Sequence, residues 1–573
     1  MSLETHAELA EWGAAAVRES FVAYQAEFRR ITRRARQRFE ARDWRGAQRD
    51  ALERLDLRPR CIAGAVDELR GVLGDAASSP ELRRCMKEAY ARHLADRPDQ
   101  ELARTFFNSV TRRIFGTVGV DPSAEFVAVE AAPSAAGGPP LFATYPRQAT
   151  TEALVAAILR DFSFSVPYCD LADDARLAAA EVDAQLRAEG APPFDAVEVL
   201  KPVFFRGKGA YLVGRIRRGA AVSPIILSLL HEERGIHVDA VLLSGKDASI
   251  LFSFTRSYFH VEVEHTANLI DFLRSILPSK PTSEIYISIG YHKHGKTILY
   301  RELIEHLQHT TDAFRPARGD RGMVMIVFTL PSLDVVFKVI RDRFAPPKSV
   351  TRQEVMQKYA LVFRQDRAGR LVDAQEFEHV VVERDRVSPE LLDELLREAA
   401  ESVRVVGDRV EINHLYTERR VVPLNLFIRE RDEGASRDAL VDYGQAIRDL
   451  AATNTFPGDL LLKNFGVTRW GRVIFYDYDE LCLVTDCNFR DLPTARDEEE
   501  ETAGEPWFFV GEDDVFPEEF LPFLGLPREL RDAFVEAHGE ILTAEFWRRM
   551  QARHRAGEIV DIFPYKQSQR LRH

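Results

Sequence analysis

The sequence has no apolar run of about 18 residues, so no helix in it is expected to cross a bilayer. Cysteine is sparse. The five residues Cys61, Cys85, Cys169, Cys482 and Cys487 are scattered, odd in number and form no CxxC pair. That argues against a disulfide framework and a structural zinc site, and suits a reducing cytoplasm. A basic excess is also missing: 77 Lys and Arg face 90 Asp and Glu, a net charge of −13. Taken whole, such a chain repels nucleic acid and anionic membrane, although a local basic groove is compatible with it. The opening residues MSLETHAELAEWGAAAVRES carry acids where a secretory signal needs a basic and then an apolar stretch, so no signal is expected. What remains is a globular composition, 45% hydrophobic, 29% charged and 10% aromatic, spread over 573 residues. That length holds more than one sizeable core.

The texture changes along the chain. The first hundred or so residues read as helices. One is well marked, with Ser79 as N-cap, Pro80 at the first helical position, Glu81 in the first turn, and Leu82, Met86, Tyr90 and Leu94 at spacing four. Pro133 to Pro140, PSAAGGPP, is the clearest linker. Helical patterns resume from Thr151 to about Glu189. From Val197 to Val263 the period shortens, and VFFRGKGAYLVGRI predicts a hairpin turning at Arg206 to Gly209. PIILSLL, HVDAVLL and YFHVEVE are further strand candidates. Beyond residue 310 come strands at Gly322–Leu330 and Asp334–Ile340, a helix at Thr351–Arg364, strands FEHVVVER and VEINHLY, and a strand over Arg472–Glu480. The acidic run Asp497–Glu501 reads as a solvated loop. The fold class is therefore α+β, with a boundary near residue 310. Residues 1–310 hold helices and a small, mostly antiparallel sheet; residues 311–573 form a second domain.

Two motifs compete for nucleotide. Gly290, Gly295, Lys296 and Thr297 satisfy GxxxxGK[ST], between a strand-like EIYISI and a helical ILYRELIEHL. The intervening Tyr291, His292, Lys293 and His294 are bulky where a phosphate loop must wrap closely. The competing reading is a basic turn; a P-loop NTPase remains the alternative. Nearby, His306 and His309 flank Glu305 without HExxH spacing, which favours a solvated helix face over a metal site.

The second candidate lies after residue 310. Ala317, Arg318, Gly319, Asp320, Arg321, Gly322 and Met323 form a glycine turn running into a strand. The next strand carries Lys338 among apolar residues, where a buried cation needs a partner. Asp459 and Asn464 have the D-x4-N spacing of a kinase catalytic loop, and Asp477 follows after a short hairpin. Each element is common alone. Their order is not.

At these residues the chain resembles the isocitrate dehydrogenase kinase/phosphatase family of bacterial bifunctional regulators. The resemblance covers nearly the whole chain and is densest in ARGDRGMVMIVFTLPSLDVVFKVI, DAQEFE, HLYTERRVVPLN and FPGDLLLKNFGVTRWGRVIFYDYDE. It implies an N-terminal regulatory domain over 1–310 and a C-terminal, bilobal protein-kinase-like domain over 311–573. It also implies phosphorylation of an active-site serine of isocitrate dehydrogenase, using ATP and Mg²⁺ or Mn²⁺. The same nucleotide site would serve removal of that phosphate, setting flux between the citric acid cycle and the glyoxylate bypass, with AMP as an effector. By position, Ala317 to Met323 would be the ATP loop and Lys338 the phosphate-binding lysine. Asp459 would take the serine proton, and Asn464 and Asp477 would hold metal. Asp373, which the residues alone would make a helix N-cap, matches the aspartate needed for phosphatase action. No His-Arg precedes Asp459, DYD replaces DFG, and no APE is found. Those departures motivate one further alternative, an inactive pseudokinase scaffold; the intact Lys338, Asp459, Asn464 and Asp477 argue against it.

Overall fold

The computed structural model describes residues 3–127, 140–190, 193–254, 258–345, 350–365, 367–494, 508–560 and 562–572. Most of the predicted linker and the acidic run Asp497–Glu501 fall outside them. The chain divides into two compact units: Met1–Thr310 together with Phe563–His573, and Thr311–Ile562. The sequence placed those last residues in the second half; in the structure they pack within the first unit.

The first unit opens with four long helices, Leu3–Glu40, Trp44–Leu73, Pro80–His93 and Gln100–Phe115. The third begins as the sequence predicts: Ser79 caps it by accepting the Leu82 amide hydrogen at 3.3 Å, with Pro80 in the first turn. Its stripe of Leu82, Met86 and Tyr90 buries against Phe21, Leu69, Phe106 and Phe107. An antiparallel sheet follows, in the order Phe142–Pro146, Ala196–Leu200, Gly209–Arg218, Ala221–Glu232 and Gly235–Leu242, with Phe204–Arg206 also paired to the third of these. The predicted hairpin forms, and Gly207 takes φ +57° at its turn. Both faces are covered. Leu212 and Leu227 look toward helices Thr151–Asp161 and Leu171–Ala188, while Val213 and Ile226 look toward helix Thr266–Ile276. Double burial explains why these strands read as continuous apolar runs rather than alternating ones. YFHVEVE is no strand; only His260 bridges to Phe205, and the segment is otherwise irregular.

The second unit has a small lobe built on an antiparallel sheet. Its order is Ala374–Glu383, Arg409–Arg419, Val335–Ile340, Met325–Thr329 and Arg315–Pro316, with Val403–Val406 paired to the second strand. Phe328 and Phe337 stack and Phe314 meets both edge-on, with ring centroids 5.1–5.8 Å apart. The large lobe is helical, with Glu433–Ala452, Arg528–His538 and Ala544–Arg555 packed through Tyr443, Phe534 and the fully buried Trp547. A buried guanidinium ties segments together: Arg370 meets Asp442 at 2.8 Å and Asp449 at 2.7 Å. The expected strand over Arg472–Glu480 is shorter, Val473–Phe475, in a hairpin with Phe465–Val467. The chain then leaves the ladder, which releases Tyr476 and Asp477 toward the cleft.

Candidate active site

The two nucleotide candidates part company in the structure. The strand-like EIYISI is a helix, Thr282–Ser288, and Gly295, Lys296 and Thr297 lie inside the helix His292–His309. Thr297 spends its hydroxyl on the Lys293 carbonyl at 3.0 Å. Gly295 is where two helices touch, since a Cβ there would sit 2.5 Å from the Ser283 oxygen. Gly290, at φ +95°, lies against the Arg54 guanidinium. Helix packing, not phosphate, explains both glycines, and the P-loop alternative is overturned. His306 and His309 end the same helix, His309 bonding to the Glu305 carbonyl at 2.8 Å. Among the described residues no three His, Cys, Asp or Glu side chains cluster to hold a metal.

The turn Ala317 to Met323 instead roofs an open cleft in the second unit. Its lining includes that whole turn, Lys338, Glu418, Asp459, Lys463, Asn464, Tyr476, Asp477 and Asp479. Gly319 adopts φ +121°, a backbone conformation that side chains resist. Gly322 has no room for a Cβ, which would lie 2.7 Å from the Met325 oxygen. The turn is pinned at its edges: Ala317 donates its amide to Val327 at 3.0 Å, and Arg341 donates to the Gly322 carbonyl at 3.0 Å. Arg318 reaches Glu430 at 2.6 Å, and Asn425 reaches Asp320 at 3.4 Å.

Strand register sets the cation. Lys338 lies opposite Val327 on one side and Tyr416 on the other. Lys338 is 5% exposed, and its ammonium meets the Glu418 carboxylate at 2.8 Å and donates to the Tyr476 carbonyl at 2.7 Å. Glu418, 3% exposed, comes from the adjacent strand; sequence reading did not find it. Its only signal is an acid in a strand that otherwise buries one face, inside the string HLYTERR. Burial pushes the Glu418 carboxyl up, while Lys338 and a hydrogen bond from Tyr359 at 3.3 Å pull it back; the charge of Asp373 adds to the rise. Tyr476 is raised by burial first and then by the charges of Asp477, Glu418 and Asp320, which marks this end of the cleft as anionic.

Asp459 sits on a loop whose shape depends on Gly458, at φ +81°, where a Cβ would fall 2.6 Å from the Glu480 oxygen. Its carboxylate accepts the Leu461 amide hydrogen at 2.9 Å, and Asn464 donates to its backbone oxygen at 3.4 Å. Tyr476 donates its amide to the Asn464 carbonyl at 3.1 Å, which lays the Asp477 segment beside that loop. An amide oxygen and a carboxylate on the same cleft wall fit a hard divalent cation that shares its remaining positions with phosphate and water. Tyr478, in place of the DFG phenylalanine, is fully buried and donates to the Val372 carbonyl at 2.5 Å.

Asp373 caps no helix; it is an extended residue just before the strand Ala374–Glu383. The tertiary partner of this segment is the hairpin, not a helix: Val372 donates to the Phe475 carbonyl at 3.0 Å, and Leu371 bridges Phe475. Asp373 accepts a hydrogen bond from Gln375 at 2.5 Å. It is not among the residues that line the cleft, although its charge reaches Glu418.

A roof turn whose Gly319 and Gly322 leave backbone open to the cleft, a single buried lysine held by a strand glutamate, and carboxylates gathered at the far wall together suit triphosphate in a phosphotransferase of the protein-kinase kind. Family profiles agree and are more specific. Residues 14–311 match "Isocitrate dehydrogenase kinase/phosphatase (AceK), regulatory domain", and residues 312–567 match the kinase domain of the same description. An isocitrate dehydrogenase kinase/phosphatase of Anaeromyxobacter sp. (strain Fw109-5) is 59% identical over 567 residues, covering 99% of each chain. One from Xanthomonas euvesicatoria pv. vesicatoria is 45% identical over 97% of each chain, and one from Yersinia pseudotuberculosis is 41% identical over 99% of each. The chain belongs to the isocitrate dehydrogenase kinase/phosphatase family.

Proposed function

We propose that this chain phosphorylates and dephosphorylates a serine of isocitrate dehydrogenase at one nucleotide site, switching carbon between the citric acid cycle and the glyoxylate bypass. It works in the cytoplasm; the described residues contain no helix long and apolar enough to cross a membrane. The second unit, 311–573 less its final residues, is catalytic. The first unit is regulatory and answers to AMP. The observation that carries the reading is the buried Lys338–Glu418 pair beneath the glycine turn, on the cleft that Asp459, Asn464 and Asp477 also line.

In the forward direction the amides of Ala317 to Met323 cover the nucleotide, and Lys338 neutralises its phosphates. Asp459 accepts a hydrogen bond from the substrate serine, aims its oxygen at the terminal phosphorus of ATP, and takes the proton as ADP leaves. Asn464 and Asp477 would hold Mg²⁺ or Mn²⁺, which supplies charge neutralisation for the transferring phosphoryl group. In the reverse direction Asp373 positions the water that attacks phosphoserine, while Lys338 serves the same phosphate-binding role. The support for Asp373 is its tether through Val372 to Phe475, two residues before Asp477.

The test separates the two reactions. Asp373→Ala should lose phosphate release from phosphorylated isocitrate dehydrogenase while keeping most ATP-dependent phosphorylation. Asp477→Asn should lose both at saturating metal. Equal loss of both activities in Asp373→Ala would refute the division of labour.

A further inference from the structure

Two of the scattered cysteines meet in the fold. Cys482 and Cys487 bring their sulfurs to 3.5 Å, on the segment that follows Asp477. Cys482 is half-buried in the short strand Cys482–Leu483, whose partner strand is Thr455–Phe456, with Phe456 directly opposite Cys482. The chain then turns through Val484–Asp486 and returns Cys487, whose amide donates to the Val484 carbonyl at 3.4 Å. Only four residues separate the two thiols.

The turn is clamped from both sides. Asn454, at φ +60°, accepts the Val484 amide on its backbone oxygen at 3.3 Å and the Thr485 amide on its side chain at 3.0 Å. Gln551 donates to the carbonyls of both Val484 and Cys487, at 2.8 and 2.7 Å. A change in this turn therefore acts on Asn454, which leads through Thr455 and Phe456 to Gly458 and Asp459. Gly458 in turn is packed against Glu480, two residues before Cys482.

We propose that Cys482 and Cys487 form a thiol-modification site, closing to an intramolecular disulfide under peroxide and thereby slowing phosphoryl transfer in both directions. The chemistry balances. The Cys482 thiolate attacks a peroxide oxygen, breaking the O–O bond to give a sulfenic acid and releasing hydroxide, or alkoxide from an organic peroxide. The Cys487 sulfur then attacks the sulfenic sulfur, loses its proton and expels water. Two electrons pass from the thiols to the peroxide, and a dithiol reductant restores them by exchange. Either thiol can donate in the Cys482–Cys487 contact, and Cys487 also reaches the Leu483 carbonyl at 3.5 Å; the contact with Cys487 holds the Cys482 thiol below its usual range and favours it as the nucleophile. A disulfide needs its sulfurs at about 2.05 Å, so closure draws the ends of the turn inward. Cys169, the exposed thiol, is raised by burial of its sulfur and by Asp174, so it competes poorly.

The experiment uses the full chain, reduced and then exposed to a small excess of hydrogen peroxide. Two of the five thiols should disappear together, peptide mapping should place the link between Cys482 and Cys487, and a dithiol should restore both thiols. Kinase and phosphatase rates should fall on the order of tenfold or more, as misplacing a catalytic group by about 1 Å can do. Both should recover on reduction. Cys487→Ser and Cys482→Ser should each work like reduced wild type and keep their rates at the same peroxide dose. Survival of both thiols, a link to Cys169 instead, or a mapped Cys482–Cys487 bond with unchanged rates would overturn the proposal. So would equal peroxide sensitivity in the two serine variants. The thiol count is read without turnover, so its failure is distinct from any failure of the proposed catalytic roles.

Discussion

Replacing Lys338 with methionine removes more than the proposed phosphate contact. The ammonium is buried, and its departure leaves the Glu418 carboxylate 3% exposed without its cation. Breaking one side of a buried ion pair costs about 3–5 kcal/mol, because the remaining charge is desolvated and unmatched. The tyrosine hydrogen bond from Tyr359 offsets only part of that. The Glu418 carboxyl is already raised by burial, and without Lys338 it rises further. A carboxyl whose folded pKa is raised binds more protons folded than unfolded. The variant is therefore least penalised at acid pH, where Glu418 is protonated in both states. It loses stability as pH climbs from the unfolded carboxyl value through the raised folded one. Lys338→Met should thus melt on the order of 10 °C below wild type at neutral pH, with the gap narrowing toward pH 5. Adding Glu418→Gln removes the orphaned charge and should recover much of the loss, while activity stays absent. Differential scanning calorimetry of the two single variants and the double variant closes the cycle. Additive losses, or a melting gap that does not change with pH, would refute the buried-pair argument. Near-wild-type phosphorylation by folded Lys338→Met would refute the phosphate role itself.

Three other outcomes follow from the same geometry. Arg370→Met should destabilise the second unit by about 3–5 kcal/mol in thermal melts, since it strands Asp442 and Asp449 together. Gly458→Ala should lower both activities more than it lowers stability, because φ +81° and the 2.6 Å approach to Glu480 force the Asp459 loop to move; circular dichroism beside turnover assays would read this. Deleting Phe563–His573 should expose the first unit to proteolysis, because Tyr565 and Arg570 hold the buried Asp239 at 2.6 and 2.7 Å. Burial alone would raise the Asp239 carboxyl, but His237, Arg570 and Tyr565 lower it on balance. The stabilisation these partners lend is present above the ordinary aspartate range and fades as pH falls through the lowered value. Acid should therefore narrow the difference between full-length and truncated protein.

Local pattern was enough for several elements. The helix at Pro80–His93 carries its own cap, proline and apolar stripe, and the hairpin at Arg206–Gly209 carries its own glycine turn, so neither needs distant residues to be read. The order of glycine turn, strand lysine, D-x4-N and aspartate was equally legible, because these residues line one cleft while keeping a fixed order along the chain. Tertiary structure decided the rest. Whether GxxxxGKT is a phosphate loop or a packed helix depends on Arg54 and Ser283, which no local pattern includes. Asp373 looks like a helix cap only until the strand and hairpin around it are present. Glu418 becomes the partner of Lys338 through strand pairing across about eighty residues of intervening chain, and Cys482 meets Cys487 only because Asn454 and Gln551 bend the turn between them. The tail shows the limit most plainly: Phe563–His573 follows the second unit in sequence yet packs in the first, drawn there by a buried aspartate far along the chain. Periodicity and caps are short-range properties that a sequence displays directly, whereas pairing of buried charges is settled only when the fold brings them within a few ångströms.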